Sequence, residues 1–192
     1  ELKKQNVQNK VTLFYNDYDT YFSVDDELAL ISYINEGEEA KICGGIGMQS
    51  HVDIKRPTLE EYGNALKAFI NAGLEVQITE LDITINFDTD DTDGRTPTYA
   101  YKNEKETDAD QAAFTKDFIK QIVDIQKNRD KTISPKGITG ITVWGISDQT
   151  SWRGSCKPLF FTRKSVRVKD ETTGKYKTVY SCLLYTSPSP RD

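Results

Sequence analysis

Apolar residues recur along the chain with two periods, one of two residues and one of three to four. Leu74, Val76 and Ile78 are spaced by two residues, which predicts a half-buried strand. If the alternation continues, the next side chain on the buried side is that of Glu80. Burying an ionised carboxylate costs several kcal/mol, roughly, unless partners compensate it. Glu80 is therefore either an exposed residue at a strand end or part of a functional site, and this stretch alone leaves both interpretations open.

The same periods predict three more strands and three helices. The predicted strands are 11–15, the glycine-rich run 41–51, the run that carries Glu80, and 138–144. The predicted helices begin near Ser23, at a capping box of Thr58 and Glu61, and at Asp108 with Gln111. Residues 88–106 predict a solvated acidic loop.

Alternating strands and helices with short connections are typical of parallel βαβ units. Polar or aromatic side chains follow each predicted strand, and they are Asn16, Asp17, Tyr18, Gln49, His51, Glu80, Asp82, Trp144, Asp148 and Trp152. A (β/α)₈ barrel builds its active site at such strand ends. An open doubly wound sheet also does so, but the run 44–47 lacks the spacing of a dinucleotide or phosphate loop.

Composition narrows the classes of function. The 192 residues carry a net charge of −5, which disfavours a nucleic-acid partner because phosphate binding needs a basic face. No apolar run has the length of a membrane-spanning helix, and the first residues do not form a signal peptide. Cys43, Cys156 and Cys182 have neither disulfide-framework nor metal-ligand spacing, and one histidine excludes a histidine-rich metal site.

Four motifs resemble those of glycoside hydrolase family 10, the endo-β-1,4-xylanases. They are Leu13-Phe14-Tyr15-Asn16-Asp17-Tyr18, Gly47-Met48-Gln49-Ser50-His51, Ile78-Thr79-Glu80-Leu81-Asp82, and Thr142-Val143-Trp144-Gly145 with Asp148 and Ser151-Trp152. Each motif is short, but the four stand in the family's order at successive strand ends. The resemblance covers nearly all of 11–160 and implies a (β/α)₈ TIM barrel of which strands five to eight are present. It also implies that 177–180 begin the closing helix of the barrel.

The resemblance implies that Glu80 is the nucleophile of a retaining hydrolysis of β-1,4-xylosidic bonds in xylan. It implies that His51 and Asp82 form a hydrogen-bonded chain with Glu80. The residues that it implies for substrate binding are Asn16, Tyr18, Gln49, Trp144 and Trp152. Retaining chemistry also needs an acid/base carboxyl, which in the family ends the fourth strand and so would precede residue 1 of this chain.

The resemblance also implies a secreted enzyme that acts on xylan or xylo-oligosaccharides and needs no metal or other cofactor. We expect 1–181 to be the C-terminal half of the catalytic domain and 182–192, which resembles a translated sequencing adapter, to be an artefactual tail. Such a chain is expected to be inactive alone and to self-associate, with no membrane partner. The alternatives are a non-catalytic xylan-binding or non-functional half-barrel, and another TIM-barrel β-glycanase.

Overall fold

The structure, a computed structural model, describes residues 11–38, 40–85, 106–153 and 156–184. Its strands are β1 Leu13–Asp17, β2 Cys43–Met48, β3 His51–Asp53, β4 Glu75–Thr84, β5 Ile138–Val143, β6 Phe161–Lys169 and β7 Tyr176–Leu184. Its helices are α1 Val24–Ile34, α2 Leu59–Asn71 and α3 Asp108–Asn128, with a 3₁₀ turn at Asp148–Thr150. The predicted four strands and three helices are all present, and the short β3 was not predicted.

The described residues form two compact units. The first contains 11–51, 55–81 and 117–142, and the second contains 52–54, 82–116 and 143–184, within the described ranges. No helix among the described residues is long and apolar enough to cross a membrane.

The first unit is a layer of strands covered by helices. Strand β2 pairs in parallel with β1 on one side and with β4 on the other, and β5 pairs with β4. The strands contribute Ile46, Met48, Val76 and Ile78 to a fully buried core. The Tyr62 ring of α2 packs on Phe118 with centroids 4.5 Å apart. The parallel βαβ arrangement predicted from the sequence is therefore confirmed.

Strand β4 does not keep the predicted alternation. Val76 and Ile78 are fully buried, but the next fully buried apolar side chains are Leu81 and Ile83, so the phase shifts by one residue. Thr79 and Glu80 are both only partly buried. The prediction that Glu80 continues the buried phase is wrong, because Thr79 and Glu80 are two successive partly buried residues and the four residues that follow them are all buried, so the alternation is interrupted at Thr79.

The helix starts agree with the sequence in part. Thr58 and Glu61 form the predicted capping box of α2, with reciprocal side-chain and backbone bonds. Ser23 precedes α1 as predicted, but its hydroxyl does not cap the backbone. The predicted pair Asp108 and Gln111 is wrong by one residue, because Thr107 and Asp110 bond each other's backbone N–H at the start of α3.

The second unit ends in an antiparallel hairpin. Strand β6 pairs with β7 over its whole length, from Phe161 opposite Leu184 to Lys169 opposite Tyr176. The closing helix predicted from 177 is wrong, because the β-branched Thr178 and Val179 and the aromatic Tyr176 and Tyr180 favour an extended strand over a helix. Residues 182–184 of the predicted tail lie in β7, whereas 185–192 and the loop 86–105 lie outside the described residues.

Candidate active site

Glu80 lies in the C-terminal half of β4, with 17% of its side chain exposed. His51 Nε2 is 3.3 Å from its Oε2, and Asn16 Nδ2 donates to its Oε1 at 3.4 Å. The Glu80 backbone N–H donates to the carbonyl of Gln49 at 3.0 Å. Four residues predicted for the site therefore meet within the first unit, and both carboxylate oxygens face nitrogen atoms.

The amide of Asn16 is oriented by a residue that the sequence motifs did not single out. Thr79 Oγ1 donates to Asn16 Oδ1 at 2.6 Å, which turns the amide nitrogen toward Glu80. Gly47 makes room for this amide, because a Cβ at position 47 would overlap Asn16 Oδ1 and lie 3.1 Å from Thr79 Cγ2. Close backbone approach is a common reason for a glycine inside a strand.

Ser50 connects the site to the helix layer. Its φ of 64° lies in the left-handed region, which is uncommon for a residue other than glycine. Its hydroxyl is 2.7 Å from the Tyr62 hydroxyl and donates to the Met48 carbonyl at 3.2 Å. Burial raises the pKa of Tyr62 well above its usual value, so the phenol stays protonated. Ser50 lies between Gln49 and His51, and its backbone conformation determines the directions in which these two side chains point.

Sequence reasoning missed the Ser50–Tyr62 pair. Only its position inside the motif around His51 marks Ser50, and Tyr62 has the spacing of an ordinary core residue on α2. A hydroxyl on that buried aromatic stripe is the signal that could have indicated a polar partner.

Asp17, the last residue of β1, has a local structural role. The Tyr15 hydroxyl donates to Asp17 Oδ2 at 2.6 Å, and the Tyr18 backbone N–H donates to Asp17 Oδ1 at 2.8 Å. The bond to Asp17, with burial and nearby carboxylates, raises the pKa of Tyr15 to about 12. The Tyr18 side chain, predicted to bind substrate, is 65% exposed.

Asp82 and the tryptophans belong to the second unit. Asp82 is almost completely buried, and its Oδ2 accepts a hydrogen bond of 2.8 Å from Trp152 Nε1. The Trp152 residue is nevertheless 60% exposed, and the Arg153 guanidinium carbon lies 4.2 Å from its ring centroid. Trp144 is also exposed. Asp82 thus fixes one edge of an exposed indole, and the Arg153 guanidinium lies over one face of its ring.

Asp148 shapes the turn that precedes Trp152. Its buried Oδ1 accepts a 2.9 Å hydrogen bond from the Leu159 backbone N–H. Among the described residues, no three histidine, cysteine, aspartate or glutamate side chains are grouped to hold a metal ion.

The comparisons with known proteins agree with these motifs. The model of the family described as Glycosyl hydrolase family 10 matches residues 3–175. Endo-1,4-beta-xylanase A of Butyrivibrio fibrisolvens is 39% identical over 165 residues, which cover 86% of this chain and 33% of that protein. Endo-1,4-beta-xylanase A of Xylanibacter ruminicola is 33% identical over 149 residues, which cover 73% of this chain and 38% of that protein. The chain spans about a third of the length of these relatives.

Solved structures show the same likeness. The CBM22-1–GH10 modules of Clostridium thermocellum xylanase 10B, complexed with xylohexaose, match with a TM-score of 0.59 at 29% identity, covering 79% of this chain and 26% of that chain. A mutant of xylanase10C from Cellvibrio japonicus, in complex with xylopentaose, matches with a TM-score of 0.62 at 25% identity, covering 82% of this chain and 32% of that chain. The parallel sheet is accordingly part of a (β/α)₈ TIM barrel, as predicted. The chain belongs to glycosyl hydrolase family 10.

Proposed function

We propose that this chain carries the nucleophile of an endo-1,4-β-xylanase that cleaves β-1,4-xylosidic bonds with retention of configuration. The observation that carries the proposal is the pair of nitrogen atoms, His51 Nε2 and Asn16 Nδ2, that face different oxygens of Glu80 at 3.3 and 3.4 Å. They hold a partly buried carboxylate in one orientation at the end of a barrel strand, where TIM-barrel enzymes place their catalytic groups.

In this mechanism a Glu80 oxygen attacks the anomeric carbon and forms a covalent glycosyl-enzyme while the bond to the leaving oxygen breaks. The leaving oxygen takes a proton from an acid, and water later releases the sugar and restores the carboxylate. The acid/base carboxyl lies about 5–5.5 Å from the nucleophile in retaining enzymes. We assign that role to no described residue.

The remaining residues bind the sugar chain. Gln49 and Tyr18 supply polar groups next to the reacting bond. Trp152 and Trp144 present exposed ring faces on which the C–H surface of a xylose can stack. Asp82 keeps the Trp152 indole in place through its Nε1–H bond.

Xylan as the substrate class is supported by the names of the relatives and by two solved structures that hold xylohexaose and xylopentaose. Because a polysaccharide cannot cross a membrane intact, we infer that the protein acts outside the cell. Detection of the native protein in the culture fluid of its source, with none retained in washed cells, would support this inference.

A covalent trap tests the proposal without requiring the acid. A dinitrophenyl xylobioside with fluorine at C2 of the reacting sugar has a leaving group that needs no proton, and the fluorine slows release of the glycosyl-enzyme. We expect mass spectrometry to find the fluoroglycosyl group on the peptide that contains Glu80. Glu80→Gln should abolish labelling, and Glu75→Gln, which changes a carboxylate on the same strand, should retain it.

Two results would contradict the proposal. Labelling of another carboxylate would move the nucleophile elsewhere. Quenching of tryptophan fluorescence by xylo-oligosaccharides without any labelling would favour a xylan-binding protein that has no catalytic activity.

A further inference from the structure

The hairpin of β6 and β7 has a charge opposite to that of the chain. Residues 161–184 contain six lysine or arginine residues and two acidic residues, whereas the whole chain has a net charge of −5. An isolated two-stranded hairpin gains little from core packing, so side chains on its exposed surface are free to serve another purpose.

One face of the hairpin combines cations with an aromatic ring. In the antiparallel register Arg167 lies opposite Thr178 and Lys169 lies opposite Tyr176, so these side chains share a face. The Arg167 guanidinium carbon is 5.3 Å from the Tyr176 ring centroid, and Tyr176 is 60% exposed. We call Arg167, Lys169 and Tyr176, with the adjoining exposed Lys175, the cationic face.

Of the two acidic residues at the hairpin turn, Asp170 is engaged by the backbone and Glu171 is exposed. Asp170 Oδ1 accepts hydrogen bonds of 3.0 Å from the N–H groups of both Thr172 and Thr173. These bonds lower the pKa of Asp170 and direct its charge into the turn. Because six lysine or arginine residues outnumber these two carboxylates, one of them held in the turn, the hairpin keeps a net positive charge that can attract an external anion.

The hairpin adjoins the proposed sugar platform within the same unit. Strand β6 packs beside the 3₁₀ turn Asp148–Thr150, which directly precedes Trp152 and Arg153. A polymer that stacks on Trp152 can therefore continue toward cations of the hairpin.

We propose that the cationic face binds the carboxylates of uronic-acid side groups on xylan. The inference rests on the proposed function, because it takes xylan as the polymer. Guanidinium groups form paired hydrogen bonds with carboxylates, and the Tyr176 ring offers a surface for the sugar ring that bears the acid. A neutral xylan would leave these cations without a partner.

Affinity electrophoresis of this chain in gels that contain xylan tests the inference. The two gels contain the same uronic-acid-substituted xylan before and after chemical reduction of its carboxyl groups, so the polymers differ only in charge. We expect tighter binding to the charged polymer by about tenfold, equivalent to about 1.4 kcal/mol, as three exposed ion pairs would provide. Added salt should remove the difference.

The variant replaces Arg167, Lys169 and Lys175 with glutamine. It should bind both polymers with the affinity that the unchanged chain has for the reduced polymer. A control in which Lys67, Lys116 and Lys127 become glutamine makes the same change in net charge at exposed helical positions and should retain the preference. Circular dichroism should give the same spectrum for all three proteins.

The outcomes separate this inference from the proposed function. Equal binding of the charged and reduced polymers would overturn the inference and leave xylan as the substrate. If the control variant lost the preference for the charged polymer to the same extent, the effect would be one of general charge, and the inference would also be overturned. The lysines of the hairpin would then be explained as charges that prevent the addition of a further strand. Binding of neither polymer would overturn the inference together with xylan recognition, and equally tight binding of polygalacturonate would show that xylan is not the partner.

Discussion

Thr79 donates a 2.6 Å hydrogen bond to Asn16, and this bond decides which end of the Asn16 amide faces Glu80. The two residues come from different strands, β4 and β1. Because Thr79 directly precedes Glu80, one strand supplies both the carboxylate and the hydroxyl that orients its neighbour. The shift in alternation along β4 makes this possible.

Thr79→Val should slow the labelling of Glu80 by about fivefold while leaving the fold intact. The change keeps the shape of the side chain but removes the donor, and one hydrogen bond contributes roughly 1 kcal/mol. The measurement is the rate of covalent trapping by the fluorinated xylobioside. Thr132→Val makes the same change in a loop where the hydroxyl bonds Asp130, and it should not alter this rate.

Gly47→Ala adds only one methyl group, but it should displace the Asn16 amide from its position beside Glu80. The new Cβ would overlap Asn16 Oδ1, so the amide must move away from both Thr79 and Glu80. We expect a loss of about 1–3 kcal/mol in the free energy of unfolding, typical of overpacking, together with slower labelling. Gly140→Ala is the control in β5, because a Cβ there would lie 3.9 Å from the nearest Gln77 atoms, an ordinary van der Waals distance. Urea unfolding that gives equal stability for both variants would contradict this.

Trp152→Phe should destabilise the second unit although an aromatic ring remains. The substitution removes the Nε1–H that donates to buried Asp82 at 2.8 Å. Loss of a donor to a buried carboxylate costs roughly 1–3 kcal/mol. Trp144→Phe changes another exposed indole and should cost less. Denaturant unfolding followed by circular dichroism distinguishes the two variants, and equal losses would show that the bond to Asp82 contributes little.

Glu27 predicts a pH dependence of stability. This buried residue of α1 has a raised pKa, caused first by burial and then by the charge of Asp17. The folded protein therefore keeps a proton that the unfolded chain has released, so this contribution to stability falls as the pH rises from about 4.5, the ordinary value, through the folded-state pKa.

Glu27→Gln should accordingly raise the free energy of unfolding at pH 7 by about 1 kcal/mol, the scale of a poorly compensated buried polar group. It should have little effect below the ordinary pKa. Asp26→Asn removes the same charge from an exposed position in the first turn of α1, where a carboxylate favours the helix. Urea unfolding at both pH values is the measurement, and a stabilisation shared by both variants would point to net charge instead.

The chain should self-associate through its strand edges. Among the described strands, β1 pairs only with β2 and β5 only with β4, and Leu13, Ile141 and Val143 are exposed on them. Unpaired edges with apolar side chains favour pairing with another chain. Sedimentation velocity should show a larger species as concentration rises. Ile141→Lys should reduce it and Ile133→Lys, in a loop, should not, whereas a compact monomer at every concentration would contradict the prediction.

The sequence predicted those parts of the fold that depend on local patterns. The stripe of α2 and its Thr58–Glu61 box are local, and so the helix was placed correctly. The hairpin was not predicted, because the prediction at 177–180 followed the resemblance instead of the strand-forming residues there. The start of α3 at Asp108 was predicted, but its capping pair was misassigned, because the Gln111 amide instead donates to the carbonyls of Ile83 and Lys157, which are distant in sequence.

The candidate site shows the same limit. The motifs pointed to Glu80, His51, Asn16 and Gln49, which the structure brings together in one unit. They did not point to Thr79, since its role depends on a shift in strand phase that period-two patterning cannot express. The positive φ of Ser50 was equally hidden, because serine seldom adopts it and only the tertiary bond to Tyr62 accompanies it.

The Ser50–Tyr62 bond has a consequence for engineering this protein. A designer who improves the apolar core of α2 would treat Tyr62 as one more buried aromatic and replace it with phenylalanine. That choice would release the hydroxyl that holds the turn between Gln49 and His51. One oxygen atom therefore joins the packing of α2 to the position of His51, although Tyr62 has the spacing of an ordinary core residue.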